Sequence, residues 1–170
     1  MKPPLPQEKL LQETFYRIHR DRMMGLPFLN PALDVQTVGF HRYADGVLGV
    51  LITPWFMNLI LLPDQQVWEM HQVGEKVLHV FPSGQYEFTV GNEAGVGKYQ
   101  MCSLFSPMSH FVDQTAAVAT AEAVLVALMD KQYVETLDQY QEWEAGTSPA
   151  ASAPSTLSRR ALLPGLAGAR

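Results

Sequence analysis

Five histidines (His19, His41, His71, His79 and His110) and a single cysteine, Cys102, are the side chains best suited to nucleophilic or metal chemistry. No two histidines stand at a metal-ligand spacing such as i and i+4 on one helix. Cys102 and His110 flank the loop Phe105–Ser109 and make at most a thiol–imidazole pair. That pair has neither an orienting acid nor an oxyanion site beside it, and a buried thiol with a loop histidine is the plainer reading. One cysteine also excludes an intrachain disulfide, and no CxxC pair is present to build a rubredoxin-like, zinc-ribbon or thioredoxin-like centre. Gly91, Gly95 and Gly97 sit between two strand-like segments and read as a hairpin loop, since a phosphate cradle would follow a strand and open a helix. The residues therefore predict no enzyme, no cofactor and no metal, and point to a domain that holds a polypeptide.

Two clusters carry apolar binding potential. Thr53-Pro54-Trp55-Phe56-Met57-Asn58 sets two large rings and a thioether beside a proline that disturbs strand pairing. Phe105-Ser106-Pro107-Met108-Ser109-His110-Phe111 is a second aromatic and methionine loop. Filling of the core explains the same residues equally well. The charge is uneven: the chain carries −5 overall, yet residues 147–170 contain three arginines and no acid. An acidic body with a basic end argues against a phosphate-neutralising nucleic-acid binder. The basic end holds the sharpest pattern, Ser158-Arg159-Arg160-Ala161-Leu162-Leu163, which is similar to the twin-arginine export motif but does not stand near the N-terminus.

Periodicity supplies the scaffold. Gln7 to Met24 predicts a helix, stopped by Gly25, and Leu26-Pro27 with Asn30-Pro31 predicts a turn-rich connector. Val35–Tyr43 and Val47–Ile52 predict a hairpin, and Phe56–Leu62 a further strand after a Thr53-Pro54-Trp55 turn. Val73, Val77, Leu78, Val80 and Phe81 predict a short helix ending at Pro82. Tyr86, Phe88 and Val90 alternate as a half-buried strand, Gly91 to Gly95 form the loop, and Tyr99–Phe105 returns. Asp113 is placed to cap an alanine-rich helix from Gln114 to Lys131, with Val118, Ala121, Leu125 and Leu128 inward. Val134 to Trp143 predicts a further acidic turn or helix. The sum is a single α+β domain over residues 1–146, with 1–6 flexible, and a disordered basic tail over 147–170. Its sheet is largely antiparallel and packed by an N-terminal helix and a long Ala-rich C-terminal helix. The longest apolar run is broken at Asn58 and Pro63, too short to span a bilayer. The acids near the N-terminus do not suit a signal peptide, so no membrane insertion and a cytoplasmic address are expected.

The stretches Met23-Met24-Gly25-Leu26-Pro27-Phe28-Leu29-Asn30-Pro31, Val50 to Leu59, and Phe88-Thr89-Val90-Gly91 resemble the HybE-type [NiFe]-hydrogenase assembly chaperones. The resemblance continues through Tyr99, Cys102, Ser103, Leu104, Ser106, Pro107 and His110, and into Arg159-Arg160-Ala161-Leu162-Leu163. It implies a cytoplasmic chaperone that binds the hydrogenase small subunit and its twin-arginine signal peptide. Export is then delayed until the iron–sulfur clusters and the nickel–iron subunit are in place, with the large subunit as a further partner. Some relatives carry a rubredoxin domain, for which this sequence lacks the cysteine pairs. The alternative is an accessory factor that binds or protects the folded small subunit or its iron–sulfur intermediates without reading the signal peptide.

No catalytic residues carry over from that family. A receptor for two guanidinium groups beside an apolar segment needs carboxylates next to an apolar groove. Pro54, Trp55, Phe56, Met57, Asn58, Pro107 and His110 are the expected groove residues, and Glu135, Asp138 and Glu142 the expected carboxylates. The tail motif, Ser158, Arg159, Arg160, Leu162 and Leu163, is the expected internal mimic of a client.

Overall fold

In the computed structural model the described residues are 2–64 and 68–132. Helix α1 spans Pro6–Ile18, with proline at its first turn where a missing N–H costs nothing, and the Glu8 carboxylate accepting from Leu5 N–H. A π-helical turn, His19–Met23, relaxes its end. Six strands follow: β1 Gln36–Tyr43, β2 Gly46–Ile52, β3 Met57–Pro63, β4 Lys76–Phe81, β5 Gly84–Glu93 and β6 Gly97–Phe105. Helix α2, Gln114–Leu128, closes the domain. The sheet order is β1-β2-β3-β6-β5-β4, and every neighbouring pair is antiparallel.

The two faces are covered by different helices, which explains the continuous apolar runs at β2 and β3. Leu48, Val50 and Ile52 of β2 join Leu59 and Leu61 of β3 in a core closed by Ala117, Ala121, Val124 and Leu128 of α2. The alternate residues, Val47, Leu51, Ile60 and Leu62, join Leu11 and Phe15 of α1 on the other face. A strand buried on both faces needs no alternation. Thr37 anchors α1 from beneath, its hydroxyl within 2.9 Å of the Glu8 carboxylate and 2.8 Å of the Gln12 amide oxygen.

Three expectations are corrected. The segment expected as a helix over 73–81 is instead strand β4, paired from Lys76↔Thr89 to Phe81↔Gly84. The residues fit a helical template, but the same run also alternates: Val77, His79 and Phe81 are the more buried set and Leu78 and Val80 face out. Ser83 and Gly84, the latter at φ +140°, turn the chain into β5, so pairing decides between the two periods. The 91–95 loop is shorter than expected, because β5 runs on to Glu93 and pairs with Gly97. Finally α2 ends at Leu128 rather than Lys131, and its buried stripe is Ala117, Ala121, Val124, Ala127 and Leu128, with Val118 and Leu125 at the margin. Small alanines let the helix axis approach the sheet. Leu125 rests over Gly39, where an added Cβ would lie 2.4 Å from its Cδ1. The cap on Asp113 is as expected, its carboxylate accepting from Ala116 N–H at 2.8 Å.

Tyr99 sits under α1, its ring edge-on to Phe15 at 6.3 Å, and burial pushes its phenol up to about 12. In the unfolded chain the same phenol ionises near pH 10. Between those values the native state retains a proton that the unfolded state has lost, so stability falls as pH rises from about 10 to about 12. The loss is on the order of 3 kcal/mol in all. Urea titrations over this range should show that slope in the wild type and a flatter profile in Tyr99→Phe.

Candidate functional site

The β2–β3 turn, the start of β1 and the end of β6 lie at one end of the sheet, as the registers Gln36↔Ile52, Ile52↔Met57 and Met57↔Phe105 require. The turn is closed by Thr53, whose N–H donates to the Phe56 carbonyl at 2.8 Å. Its hydroxyl oxygen accepts from the Trp55 and Phe56 N–H groups at 3.2 and 2.9 Å. Asn30 gathers three segments here. Its backbone N–H donates to the Pro54 carbonyl at 2.9 Å, and its side-chain amide donates to the Met108 and Phe111 carbonyls at 3.0 and 2.8 Å. The remaining amide oxygen accepts from Ala32 N–H at 3.0 Å. Beside it Gln114 accepts from Asp34 N–H at 2.9 Å and donates to the Gln36 amide oxygen at 2.8 Å, which ties the start of α2 to β1.

This end of the molecule presents apolar side chains that the fold does not use. Met24, Leu26, Phe28 and Val112 are 66%, 37%, 50% and 80% exposed. Trp55 and Phe56 are half-buried, and Pro107 and His110 are exposed. Trp55 stands between the His19 ring at 5.8 Å and the Phe56 ring at 5.6 Å, and Phe56 meets Phe15 edge-on at 5.8 Å. A run of rings therefore links the rim to the core beneath α1.

Two carboxylates border the rim, Asp34 and Asp113, on either side of the Gln114 bridge. The rim segments 24–35 and 105–116 contain no lysine or arginine. Tyr16 of α1 reaches the same place. Its phenol is raised, first by partial burial and then by the negative charge of the Asp34 carboxylate. The flank of α1 adds cations, since Arg17 and Arg20 share a cleft with Tyr16 and Met24, while on the Asn30 side acids beside exposed aromatic and aliphatic groups suit a ligand that is both cationic and apolar.

The expected groove residues divide. Trp55, Phe56, Pro107 and His110 are at this end and reach the surface. Pro54 is buried, Met57 is 0% exposed and Asn58 is 4% exposed, so these three support the turn from inside and offer no contact surface. Within the interior Asn58 turns its amide nitrogen to the Met101 sulfur at 3.8 Å, and its Oδ1 has no hydrogen-bond partner among the described residues. Glu135, Asp138 and Glu142, and the motif Ser158, Arg159, Arg160, Leu162 and Leu163, lie outside the described residues. Cys102 lies in β6 opposite Leu59, and His110 is in the exposed loop. Among the described residues no three His, Cys, Asp or Glu side chains converge as metal ligands, and no helix is long and apolar enough to cross a membrane.

Met24, Leu26, Phe28, Asn30, Asp34, Val112 and Asp113 were not expected as site residues. A signal for the first three was present. The connector Met23 to Pro31 interleaves large apolar residues with Gly and Pro, and a segment that can be neither helix nor strand has no regular face to bury.

Residues 6–165 match the family model described as "[NiFe]-hydrogenase assembly, chaperone, HybE". The chain is similar to the hydrogenase expression/formation protein HupT of Azotobacter chroococcum, 47% identical over 114 residues, covering 66% of this chain and 76% of that protein. It is also similar to the hydrogenase expression/formation protein HoxT of Azotobacter vinelandii, 41% identical over 151 residues, covering 88% and 90% of the two chains. Among solved structures it is similar to the solution structure of HybE from Escherichia coli, with a TM-score of 0.60 and 26% identity over 89% of this chain and 88% of that one.

Proposed function

The chain belongs to the HybE family of [NiFe]-hydrogenase assembly chaperones, which are not enzymes, and from that premise we propose that it binds the small subunit of a hydrogenase through its twin-arginine signal peptide. In the cytoplasm the complex delays export until the subunit's cofactors are assembled and the large subunit can join. The observation that carries this reading is the rim around Asn30. Leu26, Phe28, Trp55, Pro107 and Val112 supply apolar and aromatic surface, Asp34 and Asp113 supply negative charge, and the segments 24–35 and 105–116 hold no lysine or arginine, the nearest cations being Arg17 and Arg20 in the cleft beside Met24. Planar guanidinium groups bond carboxylates two-handedly, and the apolar stretch that follows them in such a peptide fits the rings.

The deciding measurement is calorimetry against the small subunit's signal peptide, with an Arg-Arg→Lys-Lys peptide as control. Binding near micromolar, about −8 kcal/mol, is expected. An ammonium cannot reproduce the guanidinium's paired hydrogen bonds, so the control should bind roughly tenfold more weakly or worse. No binding to either peptide overturns the reading.

A second reading has its own observation. The half of the sheet formed by β4 and β5 leaves Leu78 and Val80 50% and 68% exposed on the same side as Gln85 and Glu87. An exposed strand face of mixed apolar and polar residues fits a folded protein better than a peptide. If that surface carries the function, small subunit lacking its signal peptide should still be retained in a pull-down.

A further inference from the structure

We propose that the apolar rim is covered, when no client is bound, by this chain's own Ser158–Leu163 segment, which acts as an internal competitor. The inference rests on the rim being the signal-peptide site. Its first ground is chemical. Ser158-Arg159-Arg160-Ala161-Leu162-Leu163 presents two adjacent guanidinium groups followed by aliphatic side chains, the same combination that the rim is suited to hold. The second is charge. Residues 147–170 carry three arginines and no acid, whereas the rim segments carry Asp34 and Asp113 and no lysine or arginine.

The third ground is reach. Helix α2 starts at the rim beside β1, with Asp113 as its cap, and its fifteen residues carry the chain about 22 Å across the sheet to the β4–β5 turn. There the Leu128 carbonyl accepts from the Ser83 N–H at 3.2 Å and from its hydroxyl at 2.8 Å, which fixes the point of departure. From Gln132 to Ser158 the sequence runs twenty-six residues. Fully extended, that contour spans up to about 85 Å, well beyond the roughly 22 Å back along α2. The segment is long enough to bridge the return distance, and a tethered ligand that can do so acts at an effective concentration on the order of millimolar.

The competitor limits itself. Pro164 and Gly165 end the aliphatic run two residues after it starts in earnest at Leu162, whereas an export signal continues with a long apolar stretch. The client therefore has more surface to bury and displaces the tail. Meanwhile Phe28, Met24 and Val112 are kept from the nonspecific association that exposed apolar patches promote. With an effective concentration of about 1 mM and a tail affinity of roughly 0.1–0.5 mM, client binding is weakened about three- to tenfold.

Two measurements on the full chain test this. Calorimetry with the small-subunit signal peptide should show three- to tenfold tighter binding to Arg159→Ala/Arg160→Ala than to the wild type. Independently of any client, a spin label on Thr156→Cys in a Cys102→Ser background should broaden the amide resonances of Met24, Leu26, Phe28 and Val112. Adding Arg159→Ala/Arg160→Ala should abolish that broadening. Equal client affinity in the two chains, with no rim broadening, overturns the internal competitor and leaves the signal-peptide reading standing. Arginine-dependent rim broadening with no client binding to either chain does the opposite: it keeps the tail contact and removes the signal-peptide reading.

Discussion

Replacing Asn30 with aspartate should lower the melting temperature by about 6–12 °C, more than any other single polar substitution in the rim segments. The side-chain amide donates to the Met108 and Phe111 carbonyls, and no other residue joins the connector to that loop by side-chain hydrogen bonds among the described residues. A carboxylate of the same shape has no N–H to give and sets negative charge against two carbonyl dipoles. Losing two bonds and gaining that repulsion costs about 3 kcal/mol. For a chain of this size each kcal/mol moves the melting temperature by about 2–4 °C. Asn30→Ala removes the donors without the repulsion, so its loss should be smaller, about 2 kcal/mol. The two variants also separate by pH. The introduced carboxyl has its pKa raised by the facing carbonyls, so it takes up a proton as the pH falls toward about 5 and can donate again. Thermal melts at pH 7 and pH 5 should therefore show Asn30→Asp recovering part of its loss and Asn30→Ala recovering none. Equal melting temperatures for all three chains at pH 7 would mean that the loops hold their positions without Asn30.

Asn30 also illustrates what a single sequence does and does not disclose. Its role as a turn residue was legible, because Asn-Pro marks a turn and frees the preceding residue from helix. Its partners at positions 54, 108 and 111 were not, since nothing local specifies which carbonyls the folded chain will bring within 3 Å. The same boundary runs through the elements. β2 and β3 were readable because each is covered on both faces, so every residue in them but Asn58 is apolar and only a turn around Pro54 needed placing. β5 was readable from the clean alternation of Tyr86, Phe88 and Val90. β4 was not, because an edge strand exposes Leu78 and Val80 and buries Phe81, and that mixture mimics a helical stripe. For the proposed rim, rings and prolines marked the Trp55 and Pro107 loops in the sequence. The carboxylates Asp34 and Asp113 were passed over, as one precedes a strand and the other reads as a helix cap, and in neither role does a sequence show that they border the same rim.

Phe28→Asp should separate binding from folding more sharply than any other change. The ring is half exposed and forms none of the described ring contacts, so its loss should leave the melting temperature within about 2 °C of the wild type. Signal-peptide affinity should fall by at least about thirtyfold, the 2 kcal/mol expected of an aromatic anchor at the centre of an interface. The sign of the substitution makes the result informative. A new carboxylate should attract a guanidinium pair, so a reading in which charge alone holds the peptide requires Phe28→Asp to bind as well or better. A loss can come only from the apolar contact. Phe28→Leu, which keeps most of the apolar area, should give an intermediate affinity. Val80→Asp is the matched control: it is more exposed than Phe28, lies on β4 in the other half of the sheet, and should leave signal-peptide binding unchanged. If Val80→Asp abolishes binding of the whole small subunit while Phe28→Asp does not, the rim is the wrong surface and the exposed face of β4 and β5 is the one that meets the client. The two substitutions thus weigh a peptide rim against a folded-protein face within one pair of titrations. Both introduce the same charge on exposed positions, so solubility and net charge shift alike and the difference between them belongs to location.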